Sequence, residues 1–270
     1  MRDVSFGQYY PANSFVHKCD PRTKLLFLIC YIVAIFLSKT FYALGACALV
    51  FLTIAILSKV PLKSLLSSVK AVLFLLVFTA LLNLFFYSGT TVIFEWAFIR
   101  LTKEAVYFTI FLSARLTLLV LSSAILTLTT TPVALTDAIE SLLKPLKYIR
   151  FPVHELALIM SIALRFIPIL SDETARIINA QKARGADFET GGLLRRVKAV
   201  LPVLIPLLIS AFRRADELGD AMDARCYSGS KMRTKYKKLT YTWRDLLAAF
   251  CIIALLVGVI LLKIYLSPVI

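Results

Sequence analysis

Acidic residues are scarce in this chain: 16 Asp and Glu stand against 31 Lys and Arg in 270 residues, a formal net charge of +15. Charge of either sign makes up only 17% of the sequence, against about 25% in an ordinary soluble domain. With a mean hydropathy of +0.82, that scarcity excludes disorder and argues against a soluble enzyme. Histidine is limited to His17 and His154, too far apart in sequence to suggest a metal site. The five cysteines are odd in number and lack any C-x-x-C spacing, so neither a disulfide framework nor a metal cluster is indicated. There is no G-x-x-x-x-G-K-[ST] loop to cradle nucleotide phosphates. His154-Glu155 lacks the second histidine of a zinc-type H-E-x-x-H, and no nucleophile elbow is present. No small-residue cleavage site follows the first apolar run, so no cleaved signal peptide is expected.

What the chain has is long apolar runs: residues 25–38, 40–58, 71–94, 105–136 and 246–262. Each is near or above the length that crosses a bilayer, and the first is the shortest. Cys30, Cys47 and Cys251 lie inside such runs, where cysteine acts as a small apolar residue. These runs predict an all-α integral membrane protein with about five transmembrane helices. Lys and Arg cluster in the N-terminal tail, in the second connection and above all in 131–240, which holds 18 basic and 11 acidic residues. By the positive-inside rule this places the N-terminus in the cytoplasm and the C-terminus outside the cell membrane. The division is then 1–24 cytoplasmic, 25–130 four spans, 131–240 a cytoplasmic region and 241–270 the last span. The basic excess records topology and needs no nucleic-acid partner.

Segment 131–240 also contains two apolar stretches, Glu155 to Leu170 and Ala199 to Phe212. A hairpin through the membrane would carry Lys182, Arg184, Arg195, Arg196 and Lys198 outside, against the charge bias. They read instead as two or three amphipathic helices at the cytoplasmic face. Both polar ends share one pattern: Ala180-Gln-Lys-Ala183-Arg184-Gly185 and Ala221-Met-Asp-Ala224-Arg225-Cys226, with the arginines 41 residues apart. A glycine after such an end suits a left-handed cap. A basic residue is favoured at a helix C-terminus by the dipole alone; two copies of the same ending also suit docking to two similar partners.

Ser14-x-x-His17-x-x-Asp20-Pro21-Arg22-x-Lys24, Thr130-Thr131-Pro132, Pro152-x-His154-Glu155, Ala163-Leu164-Arg165-Phe166-Ile167-Pro168, Ala180-Gln181-x-Ala183-Arg184-Gly185-x-Asp187-Phe188, Arg213-Arg214-Ala215-Asp216-Glu217-Leu218 and Ala221-Met222-x-Ala224-Arg225-Cys226-Tyr227 together resemble the transmembrane T component of energy-coupling factor (ECF) transporters. The resemblance covers most of the chain. It implies a membrane scaffold whose coupling helices end in Ala-Arg-Gly motifs that seat on two ATPase subunits. It also implies that the scaffold holds an S component that binds a vitamin or micronutrient. ATP and Mg2+ would then be bound by those partners, with no cofactor of the chain's own and no enzymatic activity in it. The docking residues implied are Ala183, Arg184 and Gly185 at one tip and Ala224, Arg225 and Cys226 at the other. Cys226 stands where the family has glycine, and it lacks glycine's ease in a left-handed cap, which leaves the turn after Arg225 open.

Arg115 is the one ionisable residue well inside a run, where charge costs about 2.5–3.5 kcal/mol on insertion scales. It reads as an internal tie, to a helix carbonyl or to Glu155, with a substrate path as the other reading. Arg165 beside Pro168 reads as a structural contact. His17 and Asp20 read as a cap before the first span. A stand-alone multi-pass transporter with its own substrate path is the rival function, but it would want paired ionisable residues at membrane depth. The basic stretch Lys231 to Lys238 reads as an anchor beside the bilayer.

Overall fold

The computed structural model describes residues 9–86, 91–96, 99–149, 151–186, 192–227, 229 and 240–265. Asp187, Phe188 and the stretch Lys231 to Lys238 lie outside the described residues. Among the described residues there are eight α-helices: α1 (Pro21–Leu37), α2 (Phe41–Ser58), α3 (Leu62–Phe86), α4 (Lys103–Thr129), α5 (Pro132–Leu142), α6 (Val153–Ala183), α7 (Leu193–Ala224) and α8 (Trp243–Tyr265). A 3-10 helix covers Lys144–Ile149, and two short strands, β1 (Val92–Trp96) and β2 (Ile99–Thr102), pair antiparallel between α3 and α4. The chain forms two compact units, residues 7–142 with 239–270, and residues 143–238.

Local chemistry sets most boundaries of the first unit. Asp20 caps α1 by accepting the Arg22 amide at 2.9 Å, and Pro21 opens the helix, where its missing N–H costs nothing. Thr40 and Thr102 cap α2 and α4 in the same way, accepting the amides of Ala43 and Ala105. α4 stops at Thr129 because Thr131 precedes Pro132, which disfavours the helical region for the residue before it; Pro132 then begins α5. The apolar run 105–136 therefore spans two helices. The run 71–94 is likewise divided. α3 begins earlier, at Leu62, and ends at Phe86, and the following Val92-Ile93-Phe94 belongs to β1. A short run rich in β-branched and aromatic residues has the same apolarity in either state, so composition alone could not separate them.

α2, α3, α4, α6 and α8 are long and apolar enough to cross a membrane. The number matches the sequence expectation but the set does not. α1, at 17 residues, is about 25 Å long against a hydrocarbon core of about 30 Å. α6 continues through Pro168 for 31 residues and is long and apolar enough to cross a membrane, where the sequence suggests a shorter interfacial helix. α7 likewise runs unbroken through Pro202 and Pro206 for 32 residues.

α1 lies at the centre of the first unit. Its Tyr31, Ala34 and Ile35 are buried with Ala43, Leu44 and Cys47 of α2, Phe111 and Leu118 of α4, and Ile252, Leu255 and Val259 of α8. Small residues let these backbones approach closely, as helix packing in lipid requires. The buried Tyr31 hydroxyl donates to the Cys47 carbonyl at 2.8 Å. α5 also packs on α1, so it belongs to this unit and not with α6 and α7.

The start of the bundle is tied by polar groups. Asp245, 4% exposed in the first turn of α8, accepts the Asp20 amide at 2.8 Å and both the amide and hydroxyl of Thr242 at 2.7 Å. Thr242-x-x-Asp245 is a capping box, a signal available in the sequence and not used there. The Lys24 ammonium donates to the carbonyls of Thr129 at 3.0 Å and His17 at 3.3 Å, satisfying the end of α4. His17 accepts the Ser14 hydroxyl on Nδ1 at 2.7 Å and donates from Nε2 to the Tyr10 carbonyl at 2.9 Å. Burial holds its pKa below the ordinary histidine value, which favours this neutral tautomer. Replacing Asp245 by Ala strands three donors, one of them fully buried. A buried unsatisfied group costs about 1–3 kcal/mol. The expected result is a melting midpoint in detergent lowered by about 5–10 °C, with a smaller loss for Asp245→Asn.

Candidate functional site

The second unit presents the repeated helix endings. α6 and α7 run antiparallel. Glu173 of α6 pairs with Arg214 of α7 at 3.5 Å, and the Gln181 amide nitrogen donates to the Pro202 carbonyl at 3.4 Å. Glu173 lies 11 residues before Arg184, and Arg214 lies 11 before Arg225. At 1.5 Å per residue the ion pair is therefore ~16 Å along the helix from each tip. The equivalence extends to charge: at the 41-residue offset Asp172-Glu173 aligns with Arg213-Arg214, with signs reversed. Arg214 of the Arg213-Arg214 motif thus has its partner on α6. The signal was there in the offset that aligns the two tips.

Both tips close in the same geometry. The Gly185 and Ala186 amides donate back to Lys182 and Gln181, each at 3.0 Å. The Cys226 and Tyr227 amides donate back to Asp223 at 2.8 Å and Met222 at 3.1 Å. These are two Schellman motifs with an arginine at the C-cap and a left-handed residue after it, Gly185 at φ 85° and Cys226 at φ 54°. Cys226 therefore adopts the cap that glycine adopts at the other end, and the open turn is resolved. Ala183, Arg184, Gly185, Ala224, Arg225 and Cys226 are all exposed. Among the described residues, no hydrogen bond or ion pair engages either guanidinium. Each tip thus offers one cation beside a small residue at the end of a long rigid helix.

The two caps differ in cost. A left-handed conformation costs a residue with a Cβ roughly 1–2 kcal/mol, partly offset because glycine loses more entropy on folding. Cys226→Gly is expected to stabilise its tip by about 0.5–1 kcal/mol, read as stronger hydrogen-exchange protection of the Tyr227 amide. Gly185→Ala should do the reverse to Ala186, since a Cβ there meets no neighbouring atom within 4 Å and only φ opposes it.

The remaining predicted residues fall elsewhere. Arg115 lies in the first unit and donates to the Ser38 carbonyl at the end of α1, with its guanidinium 4.6 Å from the Phe111 ring centroid. Its tie is thus to a helix carbonyl. Glu155 is exposed in the first turn of α6 and is not without a partner. Arg165 is exposed on α6, and among the described residues nothing pairs with it, so the expected structural contact is not seen. Val153 is the one buried residue of α6 among those described. Its exposed Leu156, Ile159, Met160 and Ile167 need another apolar surface.

The family model of CbiQ, described as a cobalt transport protein, matches residues 12–236. The chain is 48% identical to the energy-coupling factor transporter transmembrane protein EcfT of Ruminiclostridium cellulolyticum over 263 residues, 97% of this chain and 98% of that protein. It is 47% identical to EcfT of Brevibacillus brevis over 257 residues, 95% and 97% of the two chains. With EcfT of Bacillus subtilis the identity is 43% over 245 residues, 91% and 92%. Similarity that runs from the membrane bundle through both arginine tips places the chain in the EcfT family, the transmembrane components of energy-coupling factor transporters.

Proposed function

We propose that this chain is the coupling scaffold between two ATPase subunits and a membrane protein that binds a vitamin or micronutrient. The observation that carries this is the pair of equivalent tips, each an exposed arginine at the C-cap of a helix of more than 30 residues. A guanidinium is always charged and offers five donors in a planar fork, so it grips carboxylates and carbonyls in a groove, at about 1.5–3 kcal/mol per charge-assisted contact. Two matching tips suit two similar ATPase subunits. ATP and Mg2+ belong to those subunits.

When ATP draws the ATPase grooves together, the tips follow. α6 and α7 transmit the movement because each is continuous and the two are tied at Glu173–Arg214. Apolar faces of these helices then move against the substrate-binding partner and shift it between outward- and inward-facing states. Such a shift needs a ligand that favours one state, which ATP-driven closure supplies. The tips lie in the cytoplasm, as do the N-terminal residues, and the C-terminus lies outside. Isolation of the tagged chain from its native membranes in mild detergent should bring two ATPase polypeptides and one small membrane protein in stoichiometric amount. A chain that comes away alone and transports substrate by itself would overturn the scaffold and restore the stand-alone transporter.

A further inference from the structure

The first unit contains a cavity of about 420 Å³, within the size range of small-ligand sites. Its wall is almost wholly apolar and comes from four helices: Phe27 and Tyr31 of α1, Ile54 of α2, Ile125 of α4 and Leu247 of α8. These positions share one end of the bundle, where α1 and α8 begin and α2 and α4 finish. The cavity therefore starts at a membrane surface and runs two turns into the bundle, to Tyr31.

The mouth is charged. Lys24 lines it, and Arg22 flanks Thr23 on the same turn. The Arg244 guanidinium lies 5.8 Å from the centroid of Phe15, itself a lining residue. Lys18 is exposed on the turn that also supplies Val16 and Cys19 to the wall. Among the described residues, Asp20 and Asp245 are the carboxylates here; Asp20 also pairs with Arg22 at 4.0 Å, and the Lys24 ammonium is held by the Thr129 and His17 carbonyls, which leaves Lys18 and Arg244 as the cations without a carboxylate partner among the described residues. A greasy slot entered through an excess of positive charge selects an amphiphile with a negative head.

We propose that this cavity is a binding site for one anionic phospholipid, one of its acyl chains along α1 toward Tyr31 and its phosphate at Lys18 and Arg244. A basic pocket between transmembrane helices is the arrangement that binds acidic lipid headgroups. The apolar wall accounts for the chain and the cations for the preference of headgroup. The site is independent of the two arginine tips.

The test is native mass spectrometry of the full chain in mild detergent, titrated with dioleoyl phosphatidylglycerol and dioleoyl phosphatidylcholine. The expected result is one retained phosphatidylglycerol, with affinity at least fivefold above phosphatidylcholine. Cys251→Trp and Leu126→Trp, which fill the slot from two different helices, should each weaken retention about tenfold, so either folded variant decides the point. Lys18→Gln with Arg244→Gln should reduce the headgroup preference below twofold and leave phosphatidylcholine unchanged. Equal retention of the two lipids, or retention indifferent to both Trp variants, would overturn the proposal. Displacement of the lipid by glycerol 3-phosphate alone would also overturn it, since an anion site without a chain site would suffice.

Discussion

Uptake driven by ATP is expected to fall to background when Arg184→Ala and Arg225→Ala are combined, with the protein still present in the membrane at wild-type level. Both side chains are exposed and sit at the C-cap, outside the last helical turn, so their truncation leaves α6, α7 and the ion pair between them intact. What is lost is two charge-assisted contacts of about 1.5–3 kcal/mol each, together a factor on the order of 10²–10⁴ in affinity for the ATPase pair. Each single variant should keep partial activity through the other tip. Arg→Lys at both positions should fall between, because the charge remains while the planar fork is gone. Co-purification with the ATPase subunits should decline in the same order as uptake. Near-normal uptake by the double Ala variant would remove the tips from the mechanism.

Arg115→Leu is expected to lower stability and leave transport intact. The guanidinium is held by the Ser38 carbonyl and the Phe111 ring, and Ser38 is wholly buried. Removing it strands a carbonyl where lipid offers no donor, at a cost of several kcal/mol. Removing the charge itself returns part of that, since intramembrane cations are costly. The net loss should be about 1–3 kcal/mol, seen as a melting midpoint lower by about 3–10 °C. Substrate uptake per folded molecule, measured well below that midpoint, should not change. The opposite pattern, unchanged melting with lost uptake, would make Arg115 part of a substrate path.

The contrast between these two sites bears on what a reader of the sequence could see. The tips were legible because their chemistry is local: Ala-x-x-Ala-Arg followed by a small residue states the cap and its cargo within six positions. Asp20 before Pro21 announced the start of α1 in the same way. Arg115 announced itself as an anomaly, but its partner is the carbonyl of Ser38, and a carbonyl has no letter in a sequence. Thr242-x-x-Asp245 spells the local half of the Asp245 site as a capping box, while the other half reaches 225 positions back to the Asp20 amide and has no local signal. The apolar stretches 155–170 and 199–212 understate α6 and α7, because Pro168 on α6 and Pro202 and Pro206 on α7 interrupt the pattern without ending the helix. A proline inside a helix frees a carbonyl and can kink it, yet both helices continue through theirs. The end of α3 was missed for another reason: Val92-Ile93-Phe94 extends the apolar run while changing the secondary structure.

The reversed charges at the contact between α6 and α7 also bear on stoichiometry. Because Glu173 and Arg214 occupy equivalent places relative to their tips, a two-fold pairing of α6 with α6 from a second molecule would bring carboxylate against carboxylate. Pairing α7 with α7 would bring guanidinium against guanidinium. Each helix is thus matched to its neighbour in the same polypeptide and repelled by its own duplicate, which disfavours the pairing of like helices from two copies of the chain.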